Sequence, residues 1–593
     1  MSLPDPHSHT NPQQARTERI CLALRVDFAS RTLRGEATLD LSHAREGPLD
    51  LDTRDLDIES VATLDARPLR YRLEPRDPIL GSRLRIDLPA HVRGVRIGYA
   101  TSPNATALQW LDPGRSGSAD HPLLYSQCQS IHARSIAPLQ DTPSVRARLD
   151  VRLTVPSALR AIVAAESLGR EADSAGEATD RFTTPDPIPP HLIGFAVGDF
   201  ESRRLSHRSC VWAAPDLVDA AASELSGVEA VLQAAESLFG PYRWGRYDLL
   251  VLPPSFPYGG MENPRLSFLS PSLLSGDGAV VNVIAHEVAH AWTGNLVTNA
   301  SANDFWLNEG FAVYAERRIL ESLQGRDLAG MHAAIGRHDL TQTLRRLESH
   351  PEMTRLRVDL SGLDPDQAYS SVPYEKGYLL LRRLEEVAGR PAWDAFLRSY
   401  LDRFAFRSIA TQSFLDFLDE SLPRVAATAG VLRWIDGPGI PAEVAEAPSQ
   451  RLTELRILAR RAAAGSLPPP AERERMGPAE LVVFLQALPS PLPASVCAEL
   501  DRAFQLRTTR NLEIRVNWIL VQLRSGIPEG TAAAREVLLS TGRLRHIRAI
   551  YGALCAQPAL RELALQIFAE ARERYHPIAR ARIEDLLRPK GRS

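Results

Sequence analysis

The sequence predicts a multidomain α+β chain: an N-terminal antiparallel β domain, a mixed α/β middle domain and a C-terminal α-helical domain wound as a superhelix. Three observations carry this. Up to about residue 205 apolar residues alternate with polar ones, the period of a strand with one buried face. From about 206 a short apolar strand, Leu249 to Leu252, is followed by segments of helical period. Beyond Pro448 the chain is rich in Leu, Ala, Arg and Glu at helical spacing, with short breaks.

Taken in order, residues 1–15 are polar and read as a disordered start. Residues 16–205 form the β domain. Val145, Ala147, Leu149, Val151, Leu153 and Val155 alternate with Arg146, Arg148, Asp150, Arg152 and Thr154, and Leu22, Leu24, Val26 and Phe28 repeat the pattern. Period two with Pro and Gly punctuation points to open antiparallel pairing, one face buried and one wet. Residues 206–436 form the middle domain, which stops at Ile435–Pro441, where Gly and Pro forbid a continued helix. Residues 437–450 are then a linker and 451–593 the helical domain.

Composition narrows the function classes. The 593 residues supply about three to four domain equivalents. A net charge of −3 with 24% mixed charges excludes a basic nucleic-acid surface. Cysteines 21, 128, 210, 497 and 555 are odd in number and far apart, which fits buried free thiols. The start has no apolar export core and no run of about 18 apolar residues occurs, so no membrane insertion is expected and the location reads as cytoplasmic.

The chemistry sits at His286-Glu287-Val288-Ala289-His290. On a helix, residues i and i+4 share a face, so the two imidazoles can aim at one metal ion. Glu287, beside the first His, cannot easily reach that metal but can accept a proton from a water there. Glu309, after eighteen intervening residues and on a second predicted helix, supplies the third ligand. Two His and one Glu leave an open position on a single Zn2+, a centre able to lower the pKa of water to about 7. Glu316, seven residues after Glu309 on the same face, can orient a ligand imidazole.

Upstream lies Tyr258-Gly259-Gly260-Met261-Glu262-Asn263-Pro264. A carboxylate such as Glu262 can hold an ammonium group by charge-assisted hydrogen bonding. Gly259 and Gly260, between Tyr258 and Met261, let the backbone approach an extended chain, although without Glu262 the two glycines read as a plain turn.

Together with the zinc motif, the run 253–264, His290-Ala-Trp-Thr-Gly-Asn-Leu-Val-Thr-Asn299 and Tyr369-Ser-Ser-Val-Pro-Tyr-Glu-Lys-Gly377 resemble the gluzincin metallo-aminopeptidases, in the leukotriene A(4) hydrolase and aminopeptidase B branch. The likeness spans nearly the whole chain. It implies a thermolysin-like catalytic domain and an armadillo/HEAT-like superhelix. It also implies that Gln129 assists Glu262 at the substrate amine and that Tyr374, one of thirteen tyrosines, stabilises the oxyanion. Arg543 and Arg545 match positions that hold a substrate carboxylate, and Asp366 matches an acid lining the first side-chain pocket. Without the resemblance, the two arginines read equally as a solvated helix face and Asp366 as a turn residue beside Pro365.

The implied function is a zinc aminopeptidase acting as a monomer on short peptides with a free N-terminus, basic or small first residues being favoured. Asp366 and Tyr369 also match residues of an epoxide-opening reaction, so activity on a lipid epoxide is the alternative. A further alternative is a non-catalytic peptide-binding scaffold, against which stands the retention of every ligand, the base, the amine anchor and the phenol. An endopeptidase conflicts with Glu262. Ala302 departs from the large aromatic of the branch, while Phe305 and Trp306 remain.

Overall fold

The computed structural model of the protein describes residues 5–44, 47–172, 176–442 and 449–588. The N-terminal region holds sheets of seven, four and three strands. In the largest, the order is Glu166–Ala172, Glu177–Thr183, Arg148–Pro156, Ala15–Asp27, Thr32–Ala44, Gly94–Ala100 and Asp57–Thr63. Leu22, Leu24, Val26, Leu149, Val151, Leu153 and Val155 all point into the core.

Two expectations need correction here. Ala15–Asp27 pairs in parallel with Arg148–Pro156, so the sheet is mixed, the other pairs being antiparallel. Alternation reports which face is buried and is blind to strand direction. Residues 5–14, expected to be disordered, are bound to the body of the protein. His7 is buried with Nε2 3.1 and 3.0 Å from the carbonyls of Leu360 and Leu363, and His9 N–H donates to Asp52 Oδ1 at 2.7 Å. Their polarity is met by protein partners rather than by water. Residues 1–4 lie outside the described residues.

The four-stranded sheet includes Leu123–Ser126, which delivers Gln129 to the interior. A five-stranded sheet follows, in the order Glu201–Arg204, Cys210–Ala213, Asp248–Val251, Leu266–Leu269, Gly260–Met261. It begins a few residues before the expected 205 boundary. Gly260–Met261 is its edge strand, antiparallel to Leu266–Leu269, so one backbone edge faces away from the sheet.

Helices Val281–Ala289 and Trp306–Gln324 pack against each other beyond this edge. A π turn, Val372–Lys376, leads into helix Gly377–Ala388. Gly310 and Gly377 meet where these helices cross: a Cβ on Gly377 would stand 2.7 Å from the Gly310 Cα. Of the expected 437–450 linker, residues 443–448 lie outside the described residues. Gly437 and Gly439 are fastened to the catalytic domain, where Lys376 Nζ donates to Gly437 O at 2.7 Å and Gly439 N–H to Thr354 Oγ1 at 2.8 Å.

In the C-terminal region alternate helices stack on one another: Gln450–Ala463 on Pro478–Gln486, then Leu512–Arg524, Leu544–Cys555 and Pro577–Leu587. Met331 and Ala334, from the long helix Arg326–Arg346, join the buried core of the first of these helices. That helix therefore ties the catalytic and C-terminal regions together. No helix among the described residues is long and apolar enough to cross a membrane.

Candidate metal centre and substrate cleft

His286 sits in the last turn of helix Val281–Ala289 and His290 caps its end. Their Nε2 atoms are 3.2 Å apart, and Glu309 Oε2 lies 3.4 Å from the first and 3.6 Å from the second. Tetrahedral zinc bonds of about 2.05 Å place ligand atoms about 3.3 Å apart, so the three atoms already stand at the spacing zinc requires. Glu309 Oε2 is buried without a hydrogen-bond partner among the described residues, as an atom reserved for a cation would be.

The other ring nitrogens face acceptors. His286 Nδ1 lies 3.1 Å from Glu316 Oε2, and His290 Nδ1 lies 3.0 Å from Thr293 O. Protons held at Nδ1 leave Nε2 free as the ligand atom. The expected role of Glu316 thus has its geometry. Gly294, at φ +119, makes room for this turn: a Cβ there would stand 2.6 Å from His290 Nδ1.

Glu287 projects beside the cradle, with Oε2 buried and unpartnered among the described residues. Burial pushes its carboxyl up to about 8; the Glu262, Glu309 and Glu316 carboxylates add to this and His286 opposes it. A cation in the cradle acts in the opposite direction. Gly260 packs directly on this carboxylate, since a Cβ there would lie 2.7 Å from Glu287 Cγ and closer still to Oε1.

Glu262 is buried in the wall of the same site. Gln129 Nε2 donates to its Oε1 at 3.1 Å and Asn308 Nδ2 at 3.4 Å, while Asn295 Nδ2 donates to its backbone carbonyl at 2.7 Å. Tyr369 O–H donates to Gln129 Oε1 at 2.8 Å, which fixes the amide orientation. Tyr374, in the π turn, donates to Glu309 Oε1 at 2.9 Å. Burial first, then the Glu309 charge, hold its phenol well above the ordinary value, so it keeps its proton near neutrality.

Residues 7–192 match the model of the peptidase M1 N-terminal domain, 224–434 the peptidase family M1 domain, and 476–587 the leukotriene A4 hydrolase C-terminal domain. Leukotriene A-4 hydrolase of Xenopus laevis is 35% identical over 97% of this chain and 98% of its own length. Leucine aminopeptidase 2 of Sclerotinia sclerotiorum is 34% identical over 98% and 99%. This chain belongs to peptidase family M1. Among solved structures, yeast LTA4 hydrolase in complex with bestatin superposes with a TM-score of 0.92, at 31% identity, covering 99% of this chain and 98% of that one. The M1 zinc metallopeptidase of Deinococcus radiodurans gives 0.60 at 25% identity, covering 76% of this chain and all of that one. The protein is therefore a zinc-dependent hydrolase of the M1 family, with the three-part architecture of its relatives.

The M1 cradle opens into a cleft of about 620 Å³ whose walls come from all three regions, Gln129 from the first and Arg543 from the last. Tyr258, Gly259, Gly260, Glu262, Tyr369, Tyr374, Arg543 and Arg545 line it, and the Tyr258 and Tyr369 rings stack at 5.9 Å. Met261 is buried behind the strand, where its sulfur accepts from Gln127 Nε2 at 3.2 Å.

Three expectations change. Asp366 does not line the cleft: its two oxygens accept from His132 Nε2 at 2.8 Å and Ser130 N–H at 3.3 Å, so it holds the loop that carries Gln129. Arg545 is bound by Asp339 at 2.8 Å and Glu513 at 3.1 Å, which neutralise it across the cleft mouth. Arg543 carries no carboxylate partner among the described residues: its guanidinium lies over Gly259 and its Nη1 donates to Ser272 Oγ at 3.3 Å. Arg146, assigned to the wet face of its strand, is buried and donates to Asn295 O at 2.7 Å, bracing the residue that grips Glu262.

Asn295, Asn308, His132 and Arg146 had no assigned role in the sequence, because each acts through another side chain that is distant in the chain or carries the chemistry itself. The one available signal was position: Asn308 precedes Glu309, and Asn295 follows the motif by five residues.

Proposed function

We propose that this M1 enzyme is an aminopeptidase that releases single residues from the free N-terminus of short peptides. The observation that supports it above all is the buried Glu262–Gln129 pair lining the cleft next to the zinc cradle. A carboxylate there fits a substrate ammonium group.

His286, His290 and Glu309 would hold zinc, which would supply Lewis-acid polarisation and make a water a better nucleophile. Glu262 accepts hydrogen bonds from the substrate ammonium, and Gln129 Oε1, steadied by Tyr369, keeps a lone pair for the same group. Glu287 removes a proton from the attacking water and returns it to the leaving nitrogen as the C–N bond breaks. Tyr374 directs its O–H toward the carbonyl oxygen as negative charge develops, a contribution of about 3 kcal/mol for a well-placed donor. Gly260–Met261 offers its outer edge to the extended peptide.

All five cysteines are unpaired, consistent with a reducing, cytoplasmic setting. The test is a panel of aminoacyl-arylamides and tripeptides with N-acetylated counterparts, assayed before and after chelation. Free-amine substrates should be cleaved, the blocked ones not, and zinc should restore the chelated enzyme. Equal cleavage of acetylated peptides refutes the reading.

A further inference from the structure

The polar stretch that opens the described chain forms neither helix nor strand before Ala15, yet it is fastened along its length. Thr142 Oγ1 donates to Asp5 Oδ2 at 2.7 Å, Arg134 Nη2 to His7 O at 2.7 Å and Ser8 Oγ to Asp52 Oδ2 at 2.5 Å. His7 N–H donates to Asp5 Oδ1 at 3.0 Å, and the His7 ring meets the carbonyls of Leu360 and Leu363. Only 1% of His7 is exposed. A stretch with no regular structure has given up its backbone freedom to these partners.

What it covers is a cavity of about 50 Å³ beside the cleft. Gln129, Tyr369 and Ser370 line both spaces, and Asp5 and His7 line the cavity. Ile131, Ala302, Phe305, Met353, Leu356 and Val358 give it apolar walls. The wall from Met353 to Leu360 is held at two points: Lys376 Nζ donates to Thr354 O at 2.8 Å, and Leu360 N–H to Asn303 Oδ1 at 3.1 Å. The only acid among the described lining residues, Asp5, already accepts from His7 and Thr142.

The next step rests on the aminopeptidase reading, in which the substrate ammonium lies on Glu262 with Gln129 beside it. Two bonds separate that nitrogen from the Cβ of the first residue. Its side chain therefore starts at Gln129, on the boundary that the two spaces share. The cavity is then the room into which the side chain extends. Its walls suit an apolar group, and Asp5 and His7 are part of the limit on that group's length.

We propose that the N-terminal stretch is a specificity element: Asp5 and His7, anchored on Thr142, Leu360 and Leu363, bound the first-residue pocket and set the longest apolar side chain it admits.

The test is kcat/KM on arylamides of alanine, leucine, norleucine and homologues lengthened one methylene at a time. His7→Ala removes the imidazole from the wall together with its grip on two carbonyls. The preference for the longer homologues over leucine should rise about tenfold, the worth of one to two methylenes in an apolar pocket, with leucine turnover retained. His7→Gln, whose side-chain amide can still donate to those carbonyls, should keep the native preference. Melting temperature shows which variants fold, and where His7→Ala does not, Asp5→Ala reads the same wall. Calorimetric binding of alkylamines of increasing length, to the native chain and to the folded wall variant, follows the cavity without turnover. Absent arylamide turnover, together with an alkylamine length limit that moves in the wall variant, refutes the aminopeptidase reading and leaves the wall standing. Arylamide turnover with a length preference that the folded wall variant does not move overturns the proposal and leaves the aminopeptidase reading standing.

Discussion

Replacing Gly260 with alanine should disable the enzyme without emptying the metal site. The added Cβ would stand 2.7 Å from Glu287 Cγ, against 3.4 Å for ordinary contact, a shortfall of 0.7 Å (3.4 − 2.7) that is larger at Oε1. Neither partner can retreat cheaply. Gly260 is paired with Leu269 in the edge strand, and Glu287 lies between two metal ligands on one helix. The base or the strand must therefore move by several tenths of an ångström to an ångström, a displacement that costs about 100-fold in rate when it misaligns a reacting group. The assay is kcat and KM on leucine arylamide with zinc stoichiometry and melting temperature in parallel. The expected result is kcat lower by about two orders of magnitude, with one zinc per chain and folding retained. Wild-type kcat in the alanine variant would show that Glu287 is not the base, or that the strand does not lie where its glycine implies.

Tyr374→Phe removes the O–H donor and should lower kcat by about 10²–10³ with zinc content unchanged; an unaltered kcat denies it the oxyanion role. Glu316→Ala frees His286 Nδ1, and zinc affinity measured by competition with a chelator should fall about 10–100-fold. Asp366 is held at about 2: burial acts upward and is outweighed by His132, through charge and hydrogen bond, and by the Ser130 N–H. Its folded pKa lies below the unfolded value of about 3.9, so the stabilisation, about 2 kcal/mol, is present above pH 4 and lost as the pH falls toward 2. The stability gap between the native chain and Asp366→Asn in urea should therefore shrink over that window, and a gap constant with pH refutes the pairing.

Much of the centre was legible because it is local. His286, Glu287 and His290 lie within one helical turn, and Glu309 and Glu316 are two turns apart on another helix, so periodicity alone sets which groups share a face. The edge position of Gly260–Met261 likewise agrees with the exposed backbone that two adjacent glycines invite. The partners of Asp366 and Arg545 were illegible for the opposite reason. A matching residue type specifies the charge but not its partner, and here His132, Asp339 and Glu513, all distant in sequence, claim it. Residues 5–14 failed in the same way: their polar groups were counted as needing solvent, whereas Asp52 and the carbonyls of Leu360 and Leu363 receive them.

By itself the sequence determined the two helices that hold a zinc ion, the base beside it, the alternating faces of the first sheets and the membership of the family, because each is written in short-range spacing. Only the tertiary structure decided that Glu262 meets Gln129, that Gly310 meets Gly377 to set Tyr374 beside Glu309, and that Asp339 and Glu513 pair with Arg545. Those arrangements depend on contacts between segments tens to hundreds of residues apart. Which charges are neutralised and which are left for a substrate follows from packing, and residue order does not encode it locally.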